Sequence, residues 1–202
     1  MTASEAGETL PPLENRVLRA RARGEMSADA AFEALYREYG RIVASWLAVR
    51  VDSAAVDDLA QDVWLIFYGR FRRWEFGTEM ESEEARPVLS FLFRTCQFVA
   101  RGHLRLARSR KTDPLEESGE VSVDAREPVL RNLEASRALA LASRICPEEE
   151  LDVLLLKLTG MSAREIASSF SITEAVVDHR YRGALSRLRA EMKVEDAGKK
   201  RS

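Results

Sequence analysis

Residues 160–192 constrain this chain more tightly than any other stretch. Ser162 and Glu165 form an S-x-x-E capping box, which satisfies two backbone donors and starts a helix at a fixed residue. Ile166, Ala167 and Phe170 give that helix an apolar stripe. Ser171-Ile172-Thr173 is a short polar break with one apolar anchor, and Thr173 can cap a second helix. There Val177, Tyr181, Leu185 and Leu188 repeat at steps of 4, 4 and 3. Two helices joined by so tight a turn meet at a steep angle and present the second outward, as a probe for a DNA groove. The pattern predicts a helix-turn-helix. Glu174, Ala175, Asp178, His179 and Arg182 would face the groove, with Arg180 and Arg187 placed for phosphates. Because Glu174 and Asp178 repel phosphate, binding should be selective rather than tight. The alternative is a helix pair used only for packing or protein contact.

The rest of the chain also reads as helical. Phe32, Leu35, Tyr36, Tyr39, Val43 and Leu47 mark one amphipathic helix. Val56, Leu59, Ala60, Val63, Ile66 and Phe67 mark a second, which Asp52 or Ser53 can cap. A polar, acidic connection leads to Pro87, and a third long helix is expected over about 88–108. Its core face is Val88, Leu92, Cys96, Val99, His103 and Leu106. No strand alternation and no internal repeat stands out. The expected fold is all-α: two small helical domains joined by a flexible linker. The divisions are a loose leader at 1–28, a helical bundle at 29–110, a linker at 111–129 with few apolar residues, a helix-turn-helix domain at 130–192, and a charged tail at 193–202.

The charge balance narrows the classes. Freestanding DNA binders usually carry a basic excess, whereas this 202-residue chain has a formal net charge of −2. Either its basic residues are concentrated on small faces, or another protein brings it to DNA. No apolar run approaches the ~20 residues of a membrane span, and the N-terminus lacks signal-peptide features, so a cytoplasmic location without membrane insertion is expected. Cys96 and Cys146 read as buried free thiols. His103 and His179 have no metal-ligand spacing to them, so no metal site is expected. Nor is there a nucleophile–base–orienter set or a glycine-rich phosphate loop; neither catalysis nor a cofactor is expected.

Two further faces carry chemistry. Beside the core stripe of the third helix, Phe91, Arg94, Phe98, Arg101, Arg105 and Arg108 step by 3, 4, 3, 4 and 3. Rings stack on unpaired bases, and guanidinium groups neutralise the backbone around them. The other reading is a wide core stripe bordered by solvated arginines. On the second helix, Asp58 and Asp62 sit four apart, among Gln61, Trp64, Leu65 and Tyr68. Apolar bulk beside a carboxylate pair suits a protein partner offering basic side chains. The other reading is a helix buried on both sides within a bundle.

These residues, taken in order, resemble a known family. F-x-x-L-Y-x-x-Y from Phe32 to Tyr39, D-D-L-A-Q-D-V-W from Asp57 to Trp64, and F-L-F-R from Phe91 to Arg94 resemble the promoter-melting domain of bacterial sigma factors. The runs from Cys146 to Ala167 and from Val176 to Arg189 resemble their second DNA-reading domain. Two such domains on a short linker look like the compact extracytoplasmic-function group. The resemblance implies an RNA polymerase subunit that confers promoter selectivity. Asp57, Asp58, Gln61, Asp62, Trp64 and Leu65 would dock on the clamp helices of the largest polymerase subunit. Trp74 and the Phe91–Arg108 face would capture an unstacked base of the −10 element, and Glu174 to Arg189 would enter the −35 major groove. The implied partners are core RNA polymerase (clamp helices and flap) and promoter DNA, with an anti-sigma factor as a further expected one. Departures from the family pattern include Phe98 where asparagine is frequent, Gly102 near a usual aspartate, Ser171 where the turn often has glycine, and Asp178 where a basic residue often stands. Two rivals remain: a helix-turn-helix regulator that works without polymerase, and a sigma-like adaptor that docks without melting DNA.

Overall fold

The computed structural model describes residues 12–73, 86–111 and 133–199, which form eight helices and no strand. These are α1 (Leu13–Ala22), α2 (Ala28–Ala48), α3 (Ser53–Arg72), α4 (Pro87–Lys111), α5 (Leu133–Ile145), α6 (Glu148–Leu158), α7 (Ala163–Phe170) and α8 (Glu174–Lys199). The all-α expectation holds. Trp74, most of the acidic connection and residues 112–132 lie outside the described residues.

In the first unit α2, α3 and α4 pack around Leu35, Tyr39, Val43, Leu47, Val63, Phe67, Leu92 and Cys96. Ser27 starts α2 by accepting from the Ala30 N–H at 3.2 Å. Asp52 occupies the equivalent place before α3, but its side chain makes no capping bond. Three core assignments fail, the first being Tyr36, which is 50% exposed on α2. Ile66 is exposed on α3, and Leu106 is 60% exposed because the buried stripe of α4 ends at Ala100. Beyond that point the helix has left the bundle.

The leader is not uniformly loose. Residues 13–22 form α1, which buries Val17 and Leu18 against the bundle. Its ends are fixed by polar contacts of opposite kind. The Glu14 carboxylate, fully buried, accepts from the Tyr39 hydroxyl at 3.0 Å and from the Leu89 N–H in the first turn of α4 at 3.1 Å. Arg21 donates to the Phe71 carbonyl at the end of α3 at 2.7 Å and lies 4.0 Å above the Phe71 ring. A short helix with few apolar residues is thus held at both ends by polar contacts. The expected charged tail is likewise helical over residues 193–199, since α8 continues to Lys199.

The second unit wraps α5, α7 and α8 about α6, with Leu151, Val153, Leu154, Leu155 and Leu156 of α6 buried. The two units then pack on each other, and their buried apolar residues form one continuous cluster. The seam runs along α4. Phe93 meets Trp46 on one side and Phe170 of α7 on the other, edge to face, at ring separations of 4.7 and 6.0 Å. Across the seam Arg50 pairs with Asp152, Gln97 donates to the other Asp152 oxygen at 2.5 Å, and Arg86 donates to the Thr159 carbonyl at 2.9 Å. Leu89, Phe93 and Ala100 are buried although they lie off the expected core stripe, and for Phe93 part of the cover is Phe170 of the second unit.

Candidate nucleic-acid and polymerase interfaces

The helix-turn-helix is built by local chemistry. Glu165 N–H donates to Ser162 Oγ at 3.2 Å, and Ser162 N–H donates to Glu165 Oε2 at 2.6 Å, so the capping box is complete. The break is made by Ser171, whose φ of 55° puts it in the left-handed region that glycine occupies at lower cost. Thr173 Oγ1 accepts from Val176 N–H at 3.4 Å, starting α8. Val177, Ala184 and Leu188 anchor α8 from beneath.

On its outer side Glu174, Ala175, Asp178, His179 and Arg182 are exposed together, along one stretch of two and a half turns. Arg182 donates back to the Asp178 carbonyl at 3.2 Å. Arg180 and Arg187 are held differently. Arg180 pairs with Glu149, and Arg187 donates to Glu150 Oε2 at 3.0 Å. Both glutamates come from the first turn of α6. Gly183 admits Glu150: a Cβ there would stand 2.8 Å from its Oε1. The two arginines expected on phosphates therefore already hold carboxylates.

On α4 the Phe/Arg face divides. Phe98 is 73% exposed, the most exposed aromatic among the described residues, with Arg94, Arg101 and Arg105 exposed around it and Arg108 further along. Phe91, by contrast, is half-buried. Its ring lies 6.1 Å from Phe67, with the Arg70 guanidinium 4.9 Å over it. Arg101 is not solvated alone: its Nε and a terminal nitrogen donate to Glu148 at 3.1 and 2.7 Å.

On α3 the residues Asp57, Asp58, Gln61, Asp62 and Leu65 are exposed, Leu65 by 68%. Trp64, expected outside the core stripe, is only 7% exposed. It is covered by Phe32 and Tyr36, whose rings lie 5.8 and 4.9 Å away, and by Phe67. The surface that results is an open groove of about 740 Å³ between α2 and α3. Asp57, Gln61, Leu65 and Tyr68 form one wall; Asp29, Phe32 and Tyr36 form the other. The α2 wall was not singled out from the sequence, where Phe32 and Tyr36 were read as core. The signal was present: Phe32 and Tyr36 lie three residues before Leu35 and Tyr39 of the buried Leu35–Tyr39–Val43 row, an offset that turns them to a neighbouring face.

Among the described residues no three His, Cys, Asp or Glu side chains gather as metal ligands, and no helix is long and apolar enough to cross a membrane. Cys96 is buried, which pushes its thiol up to about 12, whereas Cys146 is only half-buried.

No family model matches this chain, and no curated protein matches it. Among solved structures it is similar to the structure of CnrH in complex with the cytosolic domain of CnrY. The likeness has a TM-score of 0.58 at 20% identity and covers 90% of this chain and 98% of that one. A likeness of that extent at that identity shows a shared all-α fold.

Proposed function

We propose that this chain is an alternative sigma factor of the extracytoplasmic-function type, which binds core RNA polymerase and directs it to promoters. CnrH is an extracytoplasmic-function sigma factor, so the fold this chain shares with it supports the reading. The observation that carries it is Phe98, standing open on α4 among arginines and backed by a second unit with a separate helix-turn-helix. One unit has the surface to trap an unstacked base; the other has a helix shaped to enter a groove.

The roles divide along the elements. The α2/α3 groove, with Asp57, Asp58, Gln61, Asp62 and Leu65, docks on the basic clamp helices of polymerase, and Trp64 supports the groove floor. Phe98, Arg94, Arg101, Arg105 and Arg108 engage the −10 element, a role that Trp74 and Phe91 share. Trapping a flipped base offsets an unstacking cost of a few kcal/mol. Residues 174–187 of α8 read the −35 element, and the second unit meets the polymerase flap. Recruitment by polymerase accounts for a net charge of −2 in a DNA-binding chain. The protein acts in the cytoplasm, without a cofactor or catalysis of its own. An anti-sigma protein is a further partner, by likeness to CnrH, whose structure was determined with its anti-sigma CnrY.

The test is gel filtration of the chain with core polymerase, followed by run-off transcription from a candidate promoter. Co-elution and promoter-specific transcripts are expected. DNA binding without co-elution would instead favour a polymerase-independent regulator. Co-elution without transcripts would favour an adaptor.

A further inference from the structure

The DNA-facing side of α8 is poorer in positive charge than its sequence suggests. Successive helical positions turn by about 100°, so Arg180 and Arg187 stand about 160° and 140° round the helix from Arg182. There they hold Glu149 and Glu150 of α6, and the Arg180 side chain is only 24% exposed. Asp178 lies about 40° from Arg182, on the exposed side. The surface offered to a groove therefore carries two carboxylates, Glu174 and Asp178, against the one guanidinium of Arg182.

The helix itself gains from only one of these acids. Glu174 sits in the first turn, where the helix dipole favours a negative charge. Asp178 stands in the second turn, where that effect has faded, and aspartate is among the weaker helix formers. No hydrogen bond or ion pair among the described residues takes up its carboxylate. Arg182, four residues on, donates through Nε to the Asp178 backbone carbonyl at 3.2 Å instead. That bond anchors the guanidinium and leaves its two terminal nitrogens for a further acceptor.

An open carboxylate in a major groove selects largely by repulsion. Purine N7, guanine O6 and thymine O4 are all acceptors and repel it. Adenine offers an amino group, but next to its N7 acceptor. Cytosine offers its N4 amino group with no acceptor of its own beside it. A guanidinium one helical turn from that carboxylate matches guanine O6 and N7. We propose that Asp178 is a specificity-determining residue of α8. It accepts from a cytosine N4 amino group in the upstream promoter element, with Arg182 on a guanine beside it. The proposal rests on the promoter-reading role of α8.

The experiment is a selection of duplexes from a random library by the full-length chain bound to core polymerase, repeated with Asp178→Ala. The upstream element enriched by the wild-type chain is expected to hold a cytosine at one fixed position, favoured about tenfold over the other bases. With Asp178→Ala that preference should fall to about twofold or less, and the rest of the enriched sequence should be retained. A second duplex carries 2-pyrimidinone, which lacks the 4-amino group, in place of that cytosine. The wild-type holoenzyme should bind it about tenfold more weakly, and the variant should bind both duplexes equally. An enriched element without a cytosine preference, or the same preference in the variant, would overturn the proposal and leave the sigma-factor reading standing. Equal losses by both proteins on the 2-pyrimidinone duplex would also overturn it, because another group would then be accepting from that amino group. If no duplex is enriched with core polymerase, the promoter-reading role fails and the proposal falls with it.

Discussion

Arg50, just beyond α2, and Asp152, in α6, form an ion pair across 102 positions of sequence, with both side chains at least nine-tenths buried. Arg50 also donates to the Trp46 carbonyl at 2.8 Å and lies over the Phe93 ring, while Gln97 satisfies the second Asp152 oxygen. Burial pushes the Asp152 carboxyl above its ordinary value, and Arg50 pulls against it. Removing one partner of such a pair leaves an uncompensated buried charge, at a cost of about 3–5 kcal/mol. The two units can escape that cost by parting and hydrating Arg50. Asp152→Ala is therefore expected to raise the radius of gyration above the roughly 17 Å of a compact chain of this length, with helical circular dichroism retained. An unchanged radius in X-ray scattering would contradict the seam's dependence on this pair.

Glu14 makes stability depend on pH. Burial raises its carboxyl to about 7, against the opposing pull of Arg86, the Leu89 N–H and the Tyr39 hydroxyl. From the ordinary 4.5 up to about 7, the folded chain keeps a proton that the unfolded chain has released. Stability contributed by this group is present below that window and falls as pH rises through it, by about 3 kcal/mol in all. Glu14→Gln should flatten the difference in urea midpoint between about pH 5 and pH 8. An equal slope in both proteins would mean that another group titrates.

How much of this was legible in the sequence depended on how local the determining chemistry was. The helix-turn-helix could be read because capping box, break and apolar steps all lie within thirty residues of one another. Residues 13–22 could not: three large apolar residues among arginines, after two prolines, look like a solvated leader. What makes them a helix is Glu14 meeting α4 and Arg21 meeting α3, which are contacts of long range. Trp64 was misplaced for a related reason, since its cover comes from Phe32 and Tyr36 on α2. Asp152 stands as a lone acid within the apolar run Leu151–Leu156, and nothing nearby identifies Arg50 as its partner.

Charge reversal on the α3 face tests docking. Asp58 is exposed, so Asp58→Arg should leave the fold intact, and opposite a basic clamp it should weaken binding to core polymerase at least tenfold. Unchanged affinity in a fluorescence-anisotropy titration would remove α3 from the interface.

Base reading by α8 is tested at Arg182, which is exposed and held only by its own helix's Asp178 carbonyl among the contacts described. Arg182→Ala should cost about 1–3 kcal/mol on a −35 sequence and much less on random DNA. Equal losses on both would mark a phosphate contact.

The account's central claim is that the open ridge on α4 and the helix-turn-helix serve one holoenzyme that opens DNA. Permanganate footprinting of a promoter duplex tests it most directly, because only unpaired thymines react. Reactive thymines near −10 are expected when the chain and core polymerase are both present, and their loss is expected with Phe98→Ala. No reactivity with both proteins bound to the duplex, or the same reactivity with core polymerase alone, would contradict the account.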